Sequence, residues 1–126
     1  MRVRTGTDII EIERVKKSIE ETDGKFCERV YTKKEIEYCE SKNIQKYQHY
    51  AARFAAKEAI FKAISANMEN KYEITWKDVE VLNDKNGRPY VEIKNRFSEG
   101  IENIDISISH CKDYATATVV VVYKED

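Results

Sequence analysis

Much of what fixes other small proteins in place is scarce in these 126 residues. There is one proline and there are four glycines, so the chain has few natural breaks and no linker rich in them. With no repeat and no low-complexity stretch, a single domain over residues 1–126 is expected. Cysteine is limited to Cys27, Cys39 and Cys111, an odd number without C-x-x-C spacing. That excludes a disulfide framework, a zinc ribbon and a dithiol redox motif, and points to reduced thiols in the cytoplasm. The net charge is −1, without the basic excess of a general nucleic-acid binder. The longest aliphatic run, Val119–Val122, is far too short for a bilayer, and no apolar signal core follows Met1–Gly6. Walker, G-x-G-x-x-G, G-x-S-x-G and H-E-x-x-H patterns are all missing.

What is present is a core-forming fraction, 41% hydrophobic, alongside 36% charged residues that must lie mostly on solvated faces. Arg2–Thr7 suits a short strand. Ile9, Ile12, Val15 and Ile19 then recur at helical spacing, which predicts a helix opened by Asp8. A break near Thr22-Asp23-Gly24 precedes a short helix over Phe26–Val30. Thr32-Lys33-Lys34-Glu35 has the form of a capping box and should start another helix. From Lys46 to about Ser65 the alanine-rich sequence predicts a long central helix, lacking bulk and so open to close approach by other backbone. Strands are predicted over Val79–Leu82, Tyr90–Ile93, Ile104–Ser109 and Ala115–Tyr123, with Asn86-Gly87 marking a hairpin turn. Helices first and an antiparallel meander afterwards give an α+β fold, the long central helix packed on a small antiparallel sheet.

Four features could carry chemistry. Asp8 fits an N-cap, since Asp8-Ile9-Ile10-Glu11 resembles a capping box, or a metal ligand at a rigid strand-to-helix junction. Glu58 and Lys62, at i and i+4, could form a surface ion pair worth about 0.3 kcal/mol. Among Ala55, Ala56, Ala59 and Phe61, however, a carboxylate loses hydration unless paired or bound to a cation, and Mg²⁺ with phosphate suits that setting. Arg53 and Lys57 lie one turn apart as like charges, which an anion between them would reconcile, or they are simply solvated. His110, one of two histidines, follows Ser109 at a strand end, where it could act as a base, donate to phosphate or merely end the strand.

Four blocks of the sequence resemble the holo-acyl-carrier-protein synthases, the short branch of the 4′-phosphopantetheinyl transferases. They are Gly6-Thr7-Asp8-Ile9-Ile10-Glu11-Ile12-Glu13-Arg14, the helix Arg53-Phe54-Ala55-Ala56-Lys57-Glu58-Ala59-Ile60-Phe61-Lys62-Ala63, the hairpin Asn86-Gly87-Arg88-Pro89-Tyr90 and the strand Ile106-Ser107-Ile108-Ser109-His110. They stand in that family's order and span nearly the whole chain. The resemblance implies transfer of phosphopantetheine from coenzyme A to a serine of apo acyl carrier protein. It also implies Asp8 and Glu58 as Mg²⁺ ligands, Lys62 beside the pyrophosphate and the departing 3′,5′-ADP, and Arg53, Lys57, Arg88 and His110 as coenzyme A contacts. Arg14 and Lys17 would face the acidic carrier protein. A homotrimer with sites between subunits is implied as well.

Phosphoryl transfer of this kind depends on positioning and charge stabilisation. The serine proton would go to a metal-bound water helped by Glu58 or by an acid such as Glu35. Two departures from the family pattern stand out. Ser65-Ala66-Asn67-Met68-Glu69-Asn70 has no glycine where relatives often carry several, and the basic Arg14, Lys16 and Lys17 give way to Glu20, Glu21 and Asp23. The competing readings are a carrier-protein-binding regulator without activity and a small nucleic-acid-binding module.

Overall fold

The computed structural model describes residues 1–65 and 74–125, so most of the glycine-free segment, residues 66–70, lies outside the described residues. Strand β1 (Arg2–Glu11) pairs antiparallel with β5 (Tyr114–Tyr123), from Arg2↔Tyr123 to Glu11↔Tyr114. Strand β4 (Ile101–His110) lines the other side of β5, giving the order β1-β5-β4. The first strand therefore runs past Asp8, which corrects the expectation that Asp8 caps a helix. The β-branched pair Ile9-Ile10 suits a strand, and β5 pairs with it along its full length. Ile9 points outward, 65% exposed, and Ile10 inward. Helix α1 (Ile12–Glu21) starts four residues later than Asp8. Glu11 holds its N-cap position without a side-chain cap, and the Ile12 N–H donates at 2.9 Å to the Asp113 carbonyl in the β4–β5 turn.

Helix α2 (Lys25–Val30) is followed by α3 (Lys33–Glu40), which has the expected capping box in both directions between Thr32 and Glu35. The long α4 (Lys46–Ile64) spans the central alanine-rich stretch. Strands β2 (Val79–Asn83) and β3 (Pro89–Ile93) form a separate two-stranded sheet, so the predicted single meander is two sheets, and the N-terminal strand joins the larger one. Between β2 and β3 the hairpin turn marked by Asn86-Gly87 is a five-residue loop, residues 84–88. Gly87 has φ +84°, and the Asp84 carboxylate accepts the N–H groups of Asn86 and Arg88. Among the described residues no helix is long and apolar enough to cross a membrane.

One face of the larger sheet packs on α4. Val119, Val121, Ala117 and Ile106 meet Ala55, Ala56, Ala59, Ile60 and Ala63 there. A second cluster on the other side of α4 joins Ile12 and Val15 to Phe26, Tyr31, Tyr50 and Ala51. A helix covered on both sides need not be amphipathic. Where α4 crosses β1 the backbones touch, since a Cβ built on Gly6 would lie 1.9 Å from the Ala59 carbonyl oxygen. Replacing Gly6 with Ala is expected to push β1 off α4 at a cost of about 1–3 kcal/mol. Because Asp8 rides on the same strand, turnover should fall by more than the stability loss alone explains. Urea midpoints set beside kcat check this, and an unchanged pair of values would show that the strand has slack at the crossing.

Candidate active site

From Tyr50 to Ile64, α4 is buried except along a single stripe at Phe54, Glu58, Phe61 and Lys62. Residues four apart share a helix face, so Glu58 and Lys62 emerge together from an otherwise enclosed helix. β1 delivers Asp8 to the same place. Side chains alternate along a strand, so Asp8, two residues beyond Gly6, faces α4 as Gly6 does. Lys62 Nζ lies 3.1 Å from Asp8 Oδ1 and donates at 3.0 Å to the Thr7 carbonyl. The partner of Lys62 is thus Asp8, not the helical neighbour Glu58 suggested by i, i+4 spacing.

Burial first, and the Asp8 carboxylate second, push the Glu58 carboxyl above the usual glutamate range, while Lys62 acts against both. Two carboxylates that raise each other's cost, half-buried and with a lysine at one edge, form a hard-oxygen donor set of the size Mg²⁺ takes when phosphates and water complete its shell. No cluster of three or more His, Cys, Asp or Glu among the described residues could hold a metal unaided. The residues present therefore fit a cation shared with a phosphorylated ligand.

Lys57, expected as a coenzyme A contact, is instead a core residue. Its ammonium is fully buried, 2.7 Å from Glu35 Oε1, and donates to the carbonyls of Val30 at 2.7 Å and Trp76 at 3.0 Å. All three protons are used inside the protein, so none is left for a ligand. Glu35 is also occupied. Its Oε1 accepts the Thr32 N–H as well, and its Oε2 accepts the Val81 N–H at 2.8 Å. That removes Glu35 as the acceptor of a substrate proton. The anion beside Lys57 is therefore the protein's own Glu35, and it pairs with Lys57.

Arg53 is 4% exposed and donates to Asn83 Oδ1, while its guanidinium lies 4.1 Å from the centre of the Tyr38 ring. Its Nε finds no partner among the described residues. His110, at the exposed end of β4, stands 5.8 Å ring to ring from His49 on α4. Asn83 links Arg53 to the hairpin by donating at 3.0 Å to the Gly87 carbonyl, next to the exposed Arg88. Tyr38 and His49 connect Arg53 to His110, and Asn83 connects Arg53 to the hairpin that carries Arg88. Arg14 and Lys17 are exposed on α1, whose Ile12 and Val15 face the core. Sequence reasoning missed His49, Asn83 and Tyr38. His49 had a signal, being one turn before Arg53 and the other of only two histidines.

The sequence profile described as the 4′-phosphopantetheinyl transferase superfamily matches residues 4–119. This chain belongs to that superfamily. A holo-[acyl-carrier-protein] synthase of Ruminiclostridium cellulolyticum is 44% identical over 126 residues, covering 96% of this chain and 92% of the relative. Among solved superfamily structures, a Chronobacterium ammoniagenes ACPS–CoA complex superposes with TM-score 0.83 at 27% identity, covering 99% of this chain and 100% of that one. A Helicobacter pylori holo-[acyl-carrier-protein] synthase in complex with coenzyme A gives 0.82 at 29% identity, covering 94% and 99%. A transferase-superfamily chain with Asp8, Glu58 and Lys62 gathered at one crossing has its candidate chemistry in one place.

Proposed function

We propose that this chain transfers the 4′-phosphopantetheine group of coenzyme A to a serine of apo acyl carrier protein, giving the holo carrier protein and adenosine 3′,5′-bisphosphate, with Mg²⁺ required. The convergence of Asp8, Glu58 and Lys62 on one exposed stripe carries the reading, in a chain similar over nearly its full length to holo-[acyl-carrier-protein] synthases. Asp8 and Glu58 would hold Mg²⁺, which when bound neutralises pyrophosphate charge and polarises the phosphoryl oxygens. The serine oxygen forms a bond to the β-phosphorus as the bond from that phosphorus to the oxygen of the departing 3′,5′-ADP breaks. Glu58, on the exposed stripe of α4, is the carboxylate placed to accept the serine proton through one water. Lys62, anchored by Asp8 and the Thr7 carbonyl, stands where negative charge grows on the leaving phosphate. Arg53 and Arg88 supply cations and His110 an imidazole for the rest of coenzyme A, and Arg14 and Lys17 offer α1 to an acidic carrier protein.

The outer face of the larger sheet is uncovered and carries exposed Val3, Ile9, Tyr114 and Val120. Apolar side chains gathered on one face of an antiparallel sheet favour a partner surface, here further copies of the chain in a homotrimer. Three free cysteines, one exposed, suit a cytoplasmic location.

Intact-mass spectrometry of apo acyl carrier protein, incubated with this protein, coenzyme A and Mg²⁺, tests the reading. A gain of one phosphopantetheine that EDTA prevents is expected. No gain with several carrier proteins, from a folded sample, would favour a carrier-binding regulator without activity. Within the reading, Lys62→Ala should lower kcat by more than it weakens coenzyme A binding, because the charge it meets is largest in the transition state. A raised KM with normal kcat would place Lys62 in binding alone.

A further inference from the structure

We propose that His49 is a further substrate-binding residue, which joins Arg53 and His110 in gripping the ribose phosphate of coenzyme A and couples that grip to pH. The inference rests on the transferase reading above and adds a residue and a proton to it.

The Tyr38 ring on α3 is the centre of the cluster. The Arg53 guanidinium lies 4.1 Å from its centroid, the Lys42 ammonium 4.7 Å, and the His49 ring packs on it edge-on at 5.5 Å. His110 of β4 closes the group from the other side of His49. Two fixed cations and two imidazoles thus converge on this α3 ring from the turn after α3, from α4 and from β4. The charged neighbours that act on His49 are Lys42, Arg53 and His110, and no carboxylate is among them. Unlike Lys57, which has Glu35, neither Arg53 nor Lys42 has an ion pair with a carboxylate among the described residues.

Position along α4 says which anion fits. The helix rises about 1.5 Å per residue, so Arg53 lies about 7 Å and His49 about 13 Å along the axis from Glu58. A ligand whose pyrophosphate sits at Glu58 and Lys62 must carry a second phosphate several ångströms away to reach the cluster. Coenzyme A does, on the 3′ position of its ribose, and dephosphocoenzyme A does not. Guanidinium and imidazolium groups are the strong donors for a phosphate dianion.

The proton follows from the same arrangement. Burial, then Lys42, Arg53 and His110, hold His49 below the usual histidine range, so it is largely neutral in the free protein near neutral pH. A phosphate dianion reverses that balance and draws a proton onto the ring. The grip is then strong below the bound-state pKa of His49 and weakens as pH rises through it.

Titration calorimetry with Mg²⁺ present, at about pH 6 and about pH 8.5, against coenzyme A and 3′-dephosphocoenzyme A, tests the inference on the whole protein. Buffers of different ionisation heat report proton uptake. The unaltered protein should take up a proton with coenzyme A near neutral pH, and its preference for coenzyme A over the dephospho form should be about tenfold larger at the lower pH. His49→Gln, and His49→Phe, which keeps an aromatic ring against Tyr38, should lose that pH-dependent preference and the extra proton uptake, while dephosphocoenzyme A binds within about twofold of normal. Unchanged proton uptake and preference in both variants would overturn the inference and leave the transferase reading standing. Equal losses for the two ligands would assign His49 to packing and overturn it too. A folded, unaltered protein that binds neither ligand would overturn the transferase reading and this inference with it.

Discussion

Asp8→Ala should reduce Mg²⁺-dependent turnover by on the order of a hundredfold or more and leave the fold nearly intact. The two halves of that expectation have different origins. Asp8 is held by its strand, and ten rungs of pairing with β5 keep the backbone in place whatever the side chain is. Among the described residues its one ion pair is to Lys62, which is about half exposed, and such pairs contribute from nothing to about 1 kcal/mol. Stability therefore has little to lose. Chemistry has much more, because the variant removes one of the two carboxylates proposed to hold Mg²⁺ and also releases Lys62 from the side chain that holds it. Asp8→Asn separates these effects, since the amide keeps an oxygen for Lys62 but gives up the charge. Both variants should show turnover that no longer responds normally to added Mg²⁺ while urea midpoints stay close to the parent. Activity with unchanged metal dependence would remove Asp8 from the ligand set.

Asp8 also shows where the sequence was legible and where it was not. Its candidacy as a ligand came from the signature that it shares with the synthases, but its local structure was misread, because Asp8-Ile9-Ile10-Glu11 has the pattern of a capping box. Pairing to a strand more than a hundred residues away settled the conformation, and no local pattern reports such a contact. Elements that close on themselves were easier. The Thr32–Glu35 capping box and the alanine-rich α4 are set by neighbours within a turn and were read from the chain directly. Lys57 marks the opposite limit. Spacing placed it one turn from Arg53, but only the packing of α2, α3 and β2 around α4 shows that one side chain goes to Glu35 and the other to Tyr38 and Asn83. Gly6 had a reason that only the crossing with Ala59 makes visible.

Lys57→Ala and Glu35→Ala should each cost about 3–5 kcal/mol, a large part of the 5–15 kcal/mol that holds a typical domain together. Either change leaves a charge in the core without its partner. Removing the Glu35 carboxylate also deprives the Thr32 and Val81 N–H groups of their acceptor and leaves the Lys57 ammonium with carbonyl oxygens alone. Removing Lys57 unties α4 from the end of α2 and from the turn at Trp76. The double variant Lys57→Met with Glu35→Leu should recover part of the loss, because a buried pair replaced by apolar side chains of similar size gives up its attraction and its desolvation cost together. Urea unfolding of the two singles and the double measures the coupling. Activity adds a second readout, since Glu58 is the next residue on the helix and depends on the same roll of α4 for its place beside Asp8. A Lys57→Met variant with a normal unfolding midpoint and a raised KM for coenzyme A would return Lys57 to the ligand contacts. Loss of midpoint, with kcat falling as the helix loosens, would fix Lys57 as the pin that holds the reactive stripe in register.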